Sequence, residues 1–165
     1  MRKSNVIKMK RRNAELNRYI EFSLGANNYA IPFIIVKEII SFQDILPRAS
    51  SISYFVGDIE LRGNAVPVID LRKKLNILSQ NINEEPIIIV NIEGTMFGLV
   101  VDSISKVIAF SSMEIYEASE LENYLESQFI IGLYKKENIT IQIFDIEKAL
   151  DSNDWWTLEE SKKAA

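Results

Sequence analysis

The clearest alternation of hydrophobic and polar positions in this chain spans residues 56–72. Ile59 and Leu61 alternate with charged neighbours, which is the two-residue period of a strand that buries one face. Gly63-Asn64 follows, and both residue types tolerate the positive φ of a tight turn. Residues 65–69 predict the returning strand. We therefore predict a β-hairpin.

The end of this hairpin predicts a short helix. Pro67 has no N–H group, which places it in an edge strand or at a position outside the hydrogen-bonded ladder. Asp70 is a typical helix N-cap, and Leu71 and Leu75 lie four residues apart on one helical face. The predicted unit is thus strand, turn, strand and one short helix.

Related patterns recur along the rest of the chain. We predict hairpins from 19–24 with 29–32, 86–92 with 96–101 and 128–133 with 139–144, a strand at 103–110 and a helix after Asp145. Residues 33–40 are compatible with a short helix or a strand. Residues 41–53 and 113–126 are predicted as loops, the second one with a short helix.

Two shifts of the sequence onto itself indicate an internal duplication. A shift of 68 residues aligns residues 29–31 with residues 97–99, aromatic on aromatic and small on small. A shift of 75 residues aligns the two capping positions, Asp70 and Asp145. Because both matches occur in the same order along the chain, we interpret the protein as two copies of one unit.

The repeated unit predicts an all-β protein of two five-stranded β-barrels in tandem, with short helices at the barrel ends. We assign residues 1–18 to a basic flexible tail and 151–165 to a polar C-terminal tail. Residues 19–150 form the two barrels, roughly the halves on either side of 76–85. We expect a partner to dock in the groove where the barrels meet.

Composition restricts the chemistry of this protein. The 165 residues include no cysteine and no histidine, which excludes thiolate and zinc sites and a serine–histidine triad. Asp70 and Asp145 could be paired carboxylates, but their position before a helix favours N-caps. No phosphate-binding glycine motif occurs. We predict no enzymatic activity, no catalytic residue, no metal and no cofactor.

Charge is distributed unevenly. Residues 1–18 carry seven Lys or Arg and one Glu, a net charge of +6, and because the whole chain carries −4 the other 147 residues carry −10. An acidic body argues against a nucleic-acid-binding face. No apolar run is long enough to span a membrane and no signal-peptide pattern is present, so we expect a cytoplasmic protein that does not insert into the membrane.

Two charged residues are not explained by the strand pattern. Glu38 is the one acidic residue in the apolar run 33–40, and Arg62 stands at the predicted hairpin turn. An unpaired carboxylate among apolar residues is unfavourable. We therefore hypothesise that Glu38 and Arg62 form an ion pair.

The motifs at 56–57, 61–63, 66–72 and 98–102 resemble those of the CheW family of bacterial chemotaxis coupling proteins, and similarity extends over residues 18–150. The resemblance implies two intertwined five-stranded barrels without enzymatic activity or cofactor. It implies an adaptor that couples the cytoplasmic tips of chemoreceptors (methyl-accepting chemotaxis proteins) to the regulatory domain of the histidine kinase CheA. It also implies a place in membrane-associated receptor arrays, in rings that alternate with the kinase or contain further copies of the adaptor.

The resemblance also implies a receptor-binding groove. Matched by position in the family's motifs, the groove residues are Val36, Glu38, Arg62, Ile87, Gly98, Ile104 and Val107. Two alternatives stay open from the sequence. One is an adaptor of a non-flagellar chemosensory pathway, such as twitching. The other is a β-barrel module that binds a small ligand or nucleic acid.

Overall fold

The computed structural model describes residues 18–77, 84–111, 114–117, 129–150, 154 and 157–158. These residues contain eleven strands: β1 (Arg18–Leu24), β2 (Asn27–Pro32), β3 (Val36–Ile40), β4 (Phe55–Leu61), β5 (Asn64–Asp70), β6 (Ile87–Ile92), β7 (Thr95–Val100), β8 (Ser103–Ala109), β9 (Ile115–Glu117), β10 (Ile130–Lys136) and β11 (Ile139–Phe144). A 3₁₀ turn at Phe33–Ile35 precedes β3, so the ambiguous run 33–40 contains both a helical turn and a strand. Of the predicted 1–18 tail, residues 1–17 lie outside the described residues, as does most of 151–165.

The strands form two sheets. One has five strands in the order β3-β6-β7-β5-β4, and the other has six in the order β8-β1-β2-β11-β10-β9. The predicted all-β class with two barrel-like sheets and short helices is confirmed. The sixth strand, β9, falls in the predicted loop 113–126, because its three residues are too few to show an alternating pattern.

Both sheets are assembled from the two sequence repeats in the same way. Each contains the first two strands of one repeat and three later strands of the other, and the six-stranded sheet contains β9 in addition. The parallel pairs at the exchange are equivalent, because Val68 pairs with Gly98 in the five-stranded sheet and Ile143 pairs with Ala30 in the six-stranded sheet. The duplication read from the sequence is therefore visible in the strand pairing.

The connection at 76–85 does not separate the two sheets, as the predicted division into halves would require. β1 and β2 precede this connection but pair with β8 and β11, which follow it. Hydrophobic patterns identify strands, whereas the choice of a distant partner depends on long-range packing. The chain therefore passes several times from one sheet to the other.

Among the described residues, hydrophobic side chains gather in three clusters. Two smaller clusters each belong to one sheet. The largest, here called the central cluster, takes residues from both sheets. β6 shows the division, because Ile87 and Ile89 join the cluster of their own sheet whereas Ile88 and Val90 join the central cluster. The two sheets thus pack against each other through a shared core.

The hairpin turn between β4 and β5 lies one residue earlier than predicted. Its central residues are Arg62 (φ 51°) and Gly63 (φ 80°), and Asn64 already pairs with Leu61 across the hairpin. Two successive positive φ values match the twist of a two-residue hairpin. Arg62 therefore occupies the first turn position, which was predicted for Gly63, and Gly63 occupies the second, which was predicted for Asn64.

Pro67 lies in an inner strand rather than in an edge strand. It pairs with Asp58 on β4 but precedes the parallel ladder to β7, which begins at Val68. The missing N–H group therefore removes no bond from the β7 ladder. Towards β7, Pro67 therefore lies outside the hydrogen-bonded ladder, which is the second of the two predicted possibilities.

Two one-turn helices, α1 (Leu71–Lys74) and α2 (Ile146–Ala149), follow β5 and β11. Both predicted N-caps are confirmed: Asp70 accepts the backbone N–H of Arg72 at 3.0 Å, and Asp145 accepts that of Lys148 at 3.2 Å. In the part of the chain that is described, neither helix has the length and apolar character that crossing a membrane requires.

Candidate protein-interaction surface

The outer strands β3 and β8 occupy equivalent places in the two sheets. Both expose large aliphatic side chains, Ile39 on β3 and Val107 on β8, and Ile34 in the 3₁₀ turn is exposed as well. Aliphatic groups on adjoining segments that face water are typical of a surface covered by a partner. The strands β3 and β8, the 3₁₀ turn and Arg62 are called the edge surface below.

The 3₁₀ turn packs against the inner neighbours of both outer strands. Residues Phe33–Ile35 contact β1, the neighbour of β8, and β6, the neighbour of β3. The guanidinium of Arg18, at the start of β1, lies 4.4 Å above the ring of Phe33. Val36 and Ile104, which are equivalent in the repeat, are both half-buried against the central cluster. The edges of both sheets therefore border the same core.

The hypothesis that Glu38 pairs with Arg62 is confirmed. Arg62 Nη1 and Nη2 donate to the two carboxylate oxygens of Glu38 at 2.7 and 2.8 Å. The hydrogen bonds from Arg62 lower the pKa of Glu38 below its ordinary value, against a smaller opposing effect of burial. The same bonds raise the pKa of Arg62. Both groups are therefore charged at neutral pH.

This ion pair connects the two outer strands of the five-stranded sheet. Glu38 lies on β3 and Arg62 follows β4, the first and last strands in the order. In a flat sheet, four steps of about 4.8 Å would separate the outer strands by about 19 Å. A separation of 2.7 Å between the charged atoms requires the sheet to curl like a barrel. Curling places the hairpin turn with Arg62 beside β3.

Two of the predicted groove residues lie in the core. Ile87 is 0% exposed, and a Cβ at Gly98 would stand 3.0 Å from Ile87 Cγ2. Both residues lie on β6 and β7, which are inner strands covered on both sides by neighbouring strands. Both residues therefore belong to the packed interior of the sheet that carries Glu38 rather than to its exposed surface.

A concave feature adjoins Arg62 that the sequence pattern did not indicate. A pocket of about 320 Å³ lies between the β4–β5 and β6–β7 hairpins. Its lining includes Arg62, Leu61, Asn64, Gly94 and Met96. The sequence pattern also did not predict that Ile34 and Ile39 are exposed. The one available signal was the apolar run 33–40, which lacks a clear helix or strand period.

A second charged cluster, buried and also not anticipated, ties the two sheets together. Arg72 on α1, with 4% of its side chain exposed, donates to Asp70 at 3.1 Å and to Asp102 at 2.8 Å. Asp102 also accepts the backbone N–H of Gly25, in the β1–β2 turn, at 2.6 Å. Burial lowers the pKa of Arg72, but Asp70 and then Asp102 raise it above its ordinary value. Arg72 therefore stays charged inside the protein.

Comparison with known proteins gives a consistent family. The family model described as a CheW-like domain matches residues 18–154. The chain is similar to the chemotaxis protein CheW of Bacillus subtilis (strain 168), with 34% identity over 135 residues, 81% of this chain and 86% of that protein. It is also similar to the chemotaxis protein CheW of Treponema pallidum (strain Nichols), with 26% identity over 147 residues and 86% of each chain covered.

The fold agrees with a solved structure. The crystal structure of the scaffolding protein CheW from Thermoanaerobacter tengcongensis superposes with a TM-score of 0.74 at 27% sequence identity, covering 84% of this chain and 90% of that one. The matched region includes both sheets, the Glu38–Arg62 pair and both helix caps. This chain is a member of the CheW-like domain family.

Proposed function

We propose that this protein is a non-enzymatic adaptor of a bacterial chemosensory array, which couples chemoreceptors to the histidine kinase CheA. The observation that carries the proposal is membership of the CheW-like family through both sheets, residues 18–154. The relative of known structure is a scaffolding protein, and the other relatives are chemotaxis proteins. An array on the cytoplasmic side of receptor membranes is the corresponding location.

The edge surface suits a helical receptor tip. Exposed aliphatic groups at Ile34, Ile39 and Val107 can cover the apolar stripe of an amphipathic helix. The solvent-facing Glu38–Arg62 pair supplies a fixed charged group beside this apolar area. A bidentate arginine–carboxylate pair holds its geometry better than a single lysine would. Receptor binding is therefore assigned to Val36, Glu38, Arg62, Ile104 and Val107, supported from the core by Ile87 and Gly98.

The absence of histidine and cysteine from the sequence supports a binding role rather than a catalytic one. Asp70 and Asp145, the candidate paired carboxylates, are engaged in helix capping. Signal transfer would then follow from which surfaces the adaptor holds together. The kinase regulatory domain and further copies of the adaptor are expected to use surfaces away from the receptor groove.

Co-sedimentation with receptor cytoplasmic fragments, with and without CheA, tests this proposal. We expect Arg62→Ala to weaken receptor binding because it removes one half of the ion pair, while the circular dichroism spectrum stays unchanged. Val107→Glu should weaken binding too, since it places a charge on the apolar part of the edge surface. Ile139→Glu is the matched control, because Ile139 is 52% exposed and Val107 is 50% exposed, on different strands of the same sheet.

The outcomes separate the alternatives. Loss of receptor sedimentation with the first two variants but not with Ile139→Glu supports the assigned groove. Wild-type binding by all three variants would show that the receptor binds to another surface of the protein. Absence of both receptor and kinase from the pellet of the unmodified protein would refute the adaptor function itself.

A further inference from the structure

The C-terminal segment is anchored in the core, although residues 151–165 were predicted as a polar tail. Asp154, Thr157 and Leu158 have helical backbone. Leu158 is 1% exposed and belongs to the central cluster. The family match ends at residue 154, so Thr157 and Leu158 lie beyond it. The chain therefore continues to make specific contacts after the family domain ends.

Arg48, in the loop before β4, binds this segment and β4 together. Its Nε and Nη2 donate to the two carboxylate oxygens of Asp58 at 2.6 and 3.0 Å. Its Nη1 donates to the backbone carbonyl of Leu158 at 2.8 Å. The guanidinium also lies 4.8 Å above the ring of Phe55. One partly buried cation thus connects the C-terminal segment to the first and middle residues of β4.

Tyr54 makes a second connection to the same segment. Its hydroxyl hydrogen-bonds to the carboxylate of Asp154, while its ring lies in the central cluster. Tyr54 directly precedes β4. The C-terminal segment is therefore held by a buried side chain, a backbone carbonyl and a carboxylate, all directed to one border of the five-stranded sheet.

The border held in this way is covered by a short piece of chain. Leu46 and Asp58 exchange two backbone hydrogen bonds, of 2.7 and 2.8 Å, on the outer side of β4. The equivalent position of the six-stranded sheet carries a whole strand, since β9 pairs with β10 at three positions. A single bridged position provides fewer backbone bonds than a strand. The covering segment 45–48 therefore needs additional support, and Arg48 provides it.

We propose that Asp154 and Leu158, in the C-terminal segment, act as a latch that holds segment 45–48 against β4. Through Arg48 it fixes the Leu46–Asp58 bridge and keeps the outer edge of the five-stranded sheet covered. An uncovered edge would offer unpaired backbone groups to a strand of another molecule. The latch is independent of the adaptor function and of the receptor groove.

Amide hydrogen exchange on the full chain tests the latch. We expect Leu158→Ala to reduce the protection of the Leu46 and Asp58 amides by about tenfold or more, because the segment opens locally. The amides of the β9–β10 ladder serve as the internal reference. Leu150→Ala is the matched control, since Leu150 is also 1% exposed and in the central cluster but precedes the latch.

Tyr54→Phe is the milder variant, which keeps the ring in the core and removes the hydroxyl that bonds to Asp154. We expect a smaller loss of protection at the same two amides, and this variant suffices if Leu158→Ala does not fold. Equal loss at the β9–β10 ladder, or the same pattern in Leu150→Ala, would mean general destabilisation and would overturn the proposal. Unchanged protection at Leu46 and Asp58 would overturn it as well.

Discussion

Arg62 satisfies two constraints at once. Its backbone adopts a left-handed conformation with a φ of 51°, which few residues other than glycine and asparagine adopt. Its guanidinium binds both carboxylate oxygens of Glu38. The turn conformation sets the direction in which the side chain leaves the hairpin, and the pair fixes where it ends. The edge surface thus has a charged group whose position depends on both strands.

Substitution of Arg62 should change the titration of Glu38. In Arg62→Ala we expect the pKa of Glu38 to rise toward its ordinary value of 4.5, since the bonds that lower it are gone. Carbon-13 NMR titration of the carboxyl group measures both midpoints. Because the folded-state pKa is lowered, the stabilisation by the pair is present above the ordinary value and is lost as pH falls through the lowered one. Identical midpoints would show that the pair does not persist in solution.

Substitution of Arg72 should have a large effect on stability. Arg72→Ala leaves Asp70 and Asp102 without their buried cation, and breaking such a cluster costs about 3–5 kcal/mol. Lys73→Ala in the same helical turn is the control, because Lys73 is exposed and its removal should stay within about 0.5 kcal/mol. Urea unfolding measures both free energies. Similar values for the two variants would contradict a structural role of the buried cluster.

The exposed pair could be anticipated from the sequence, whereas the buried cluster could not. Glu38 interrupts an apolar run, and Arg62 stands at a recognisable turn, so each residue departs from a local pattern. Arg72 lies among neighbouring lysines and resembles one more surface cation. Asp102, its partner, is 30 residues away. No local signal joins these two, because their contact depends on how α1 packs between the sheets.

At the scale of elements, a glycine marks the place where each outer segment crosses its strand. A Cβ at Gly57 on β4 would lie 2.5 Å from the carbonyl oxygen of Leu46. A Cβ at Gly132 on β10, the equivalent position, would collide with Ile115 at the start of β9. The covering segments can therefore approach only because both strands lack a side chain there.

A comparison of Gly57→Ala with Gly94→Ala should separate the loss of unfolding free energy caused by this clash from the loss caused by backbone strain. Gly57 (φ 138°) and Gly94 (φ 87°) both have positive φ, but nothing lies within 4 Å of a Cβ at Gly94. Gly94→Ala should cost about 1 kcal/mol for backbone strain, and Gly57→Ala about 1–3 kcal/mol more for the displaced covering segment. Thermal or urea unfolding gives the comparison. Equal costs would show that segment 45–48 does not press on β4.

Most elements could be predicted because hairpins leave local signals. Alternation and turn residues identified the four hairpins and both capping aspartates. The turn at Arg62 was displaced by one residue, because strand register across the hairpin decides the turn and residue preference does not. β9 escaped detection since three residues carry no period. The inner location of Ile87 and Gly98 depends on the strand order, which local patterns do not reveal.

At the scale of the whole molecule, neither half of the chain contains a complete sheet. β1 and β2 have both of their outer neighbours, β8 and β11, in the second half. β6 and β7 likewise depend on β3 and β5 in the first half. A large share of the backbone pairing therefore forms only when the two halves meet, and the central cluster combines both.

Fragments cut within the 76–85 connection should not fold separately. We expect residues 1–80 and residues 81–165, each alone, to unfold without a cooperative transition, because their strands lack sheet partners. An equimolar mixture should recover a cooperative transition and a dispersed NMR spectrum. A dispersed spectrum from residues 1–80 alone would contradict the observed strand exchange.

The exchange of strands has a consequence for the origin and polarity of the molecule. One repeat alone leaves two open sheets, and two separate copies would complete each other as a symmetric homodimer. Fusion into one chain makes assembly independent of concentration. It also allows the amino-acid sequences of the two repeats to diverge. Glu38 on β3 and Lys106 on β8 occupy the same place in the two repeats. An ancestral dimer would have shown the same charge at both sites, whereas the fused chain has opposite charges that allow a partner to distinguish one end from the other.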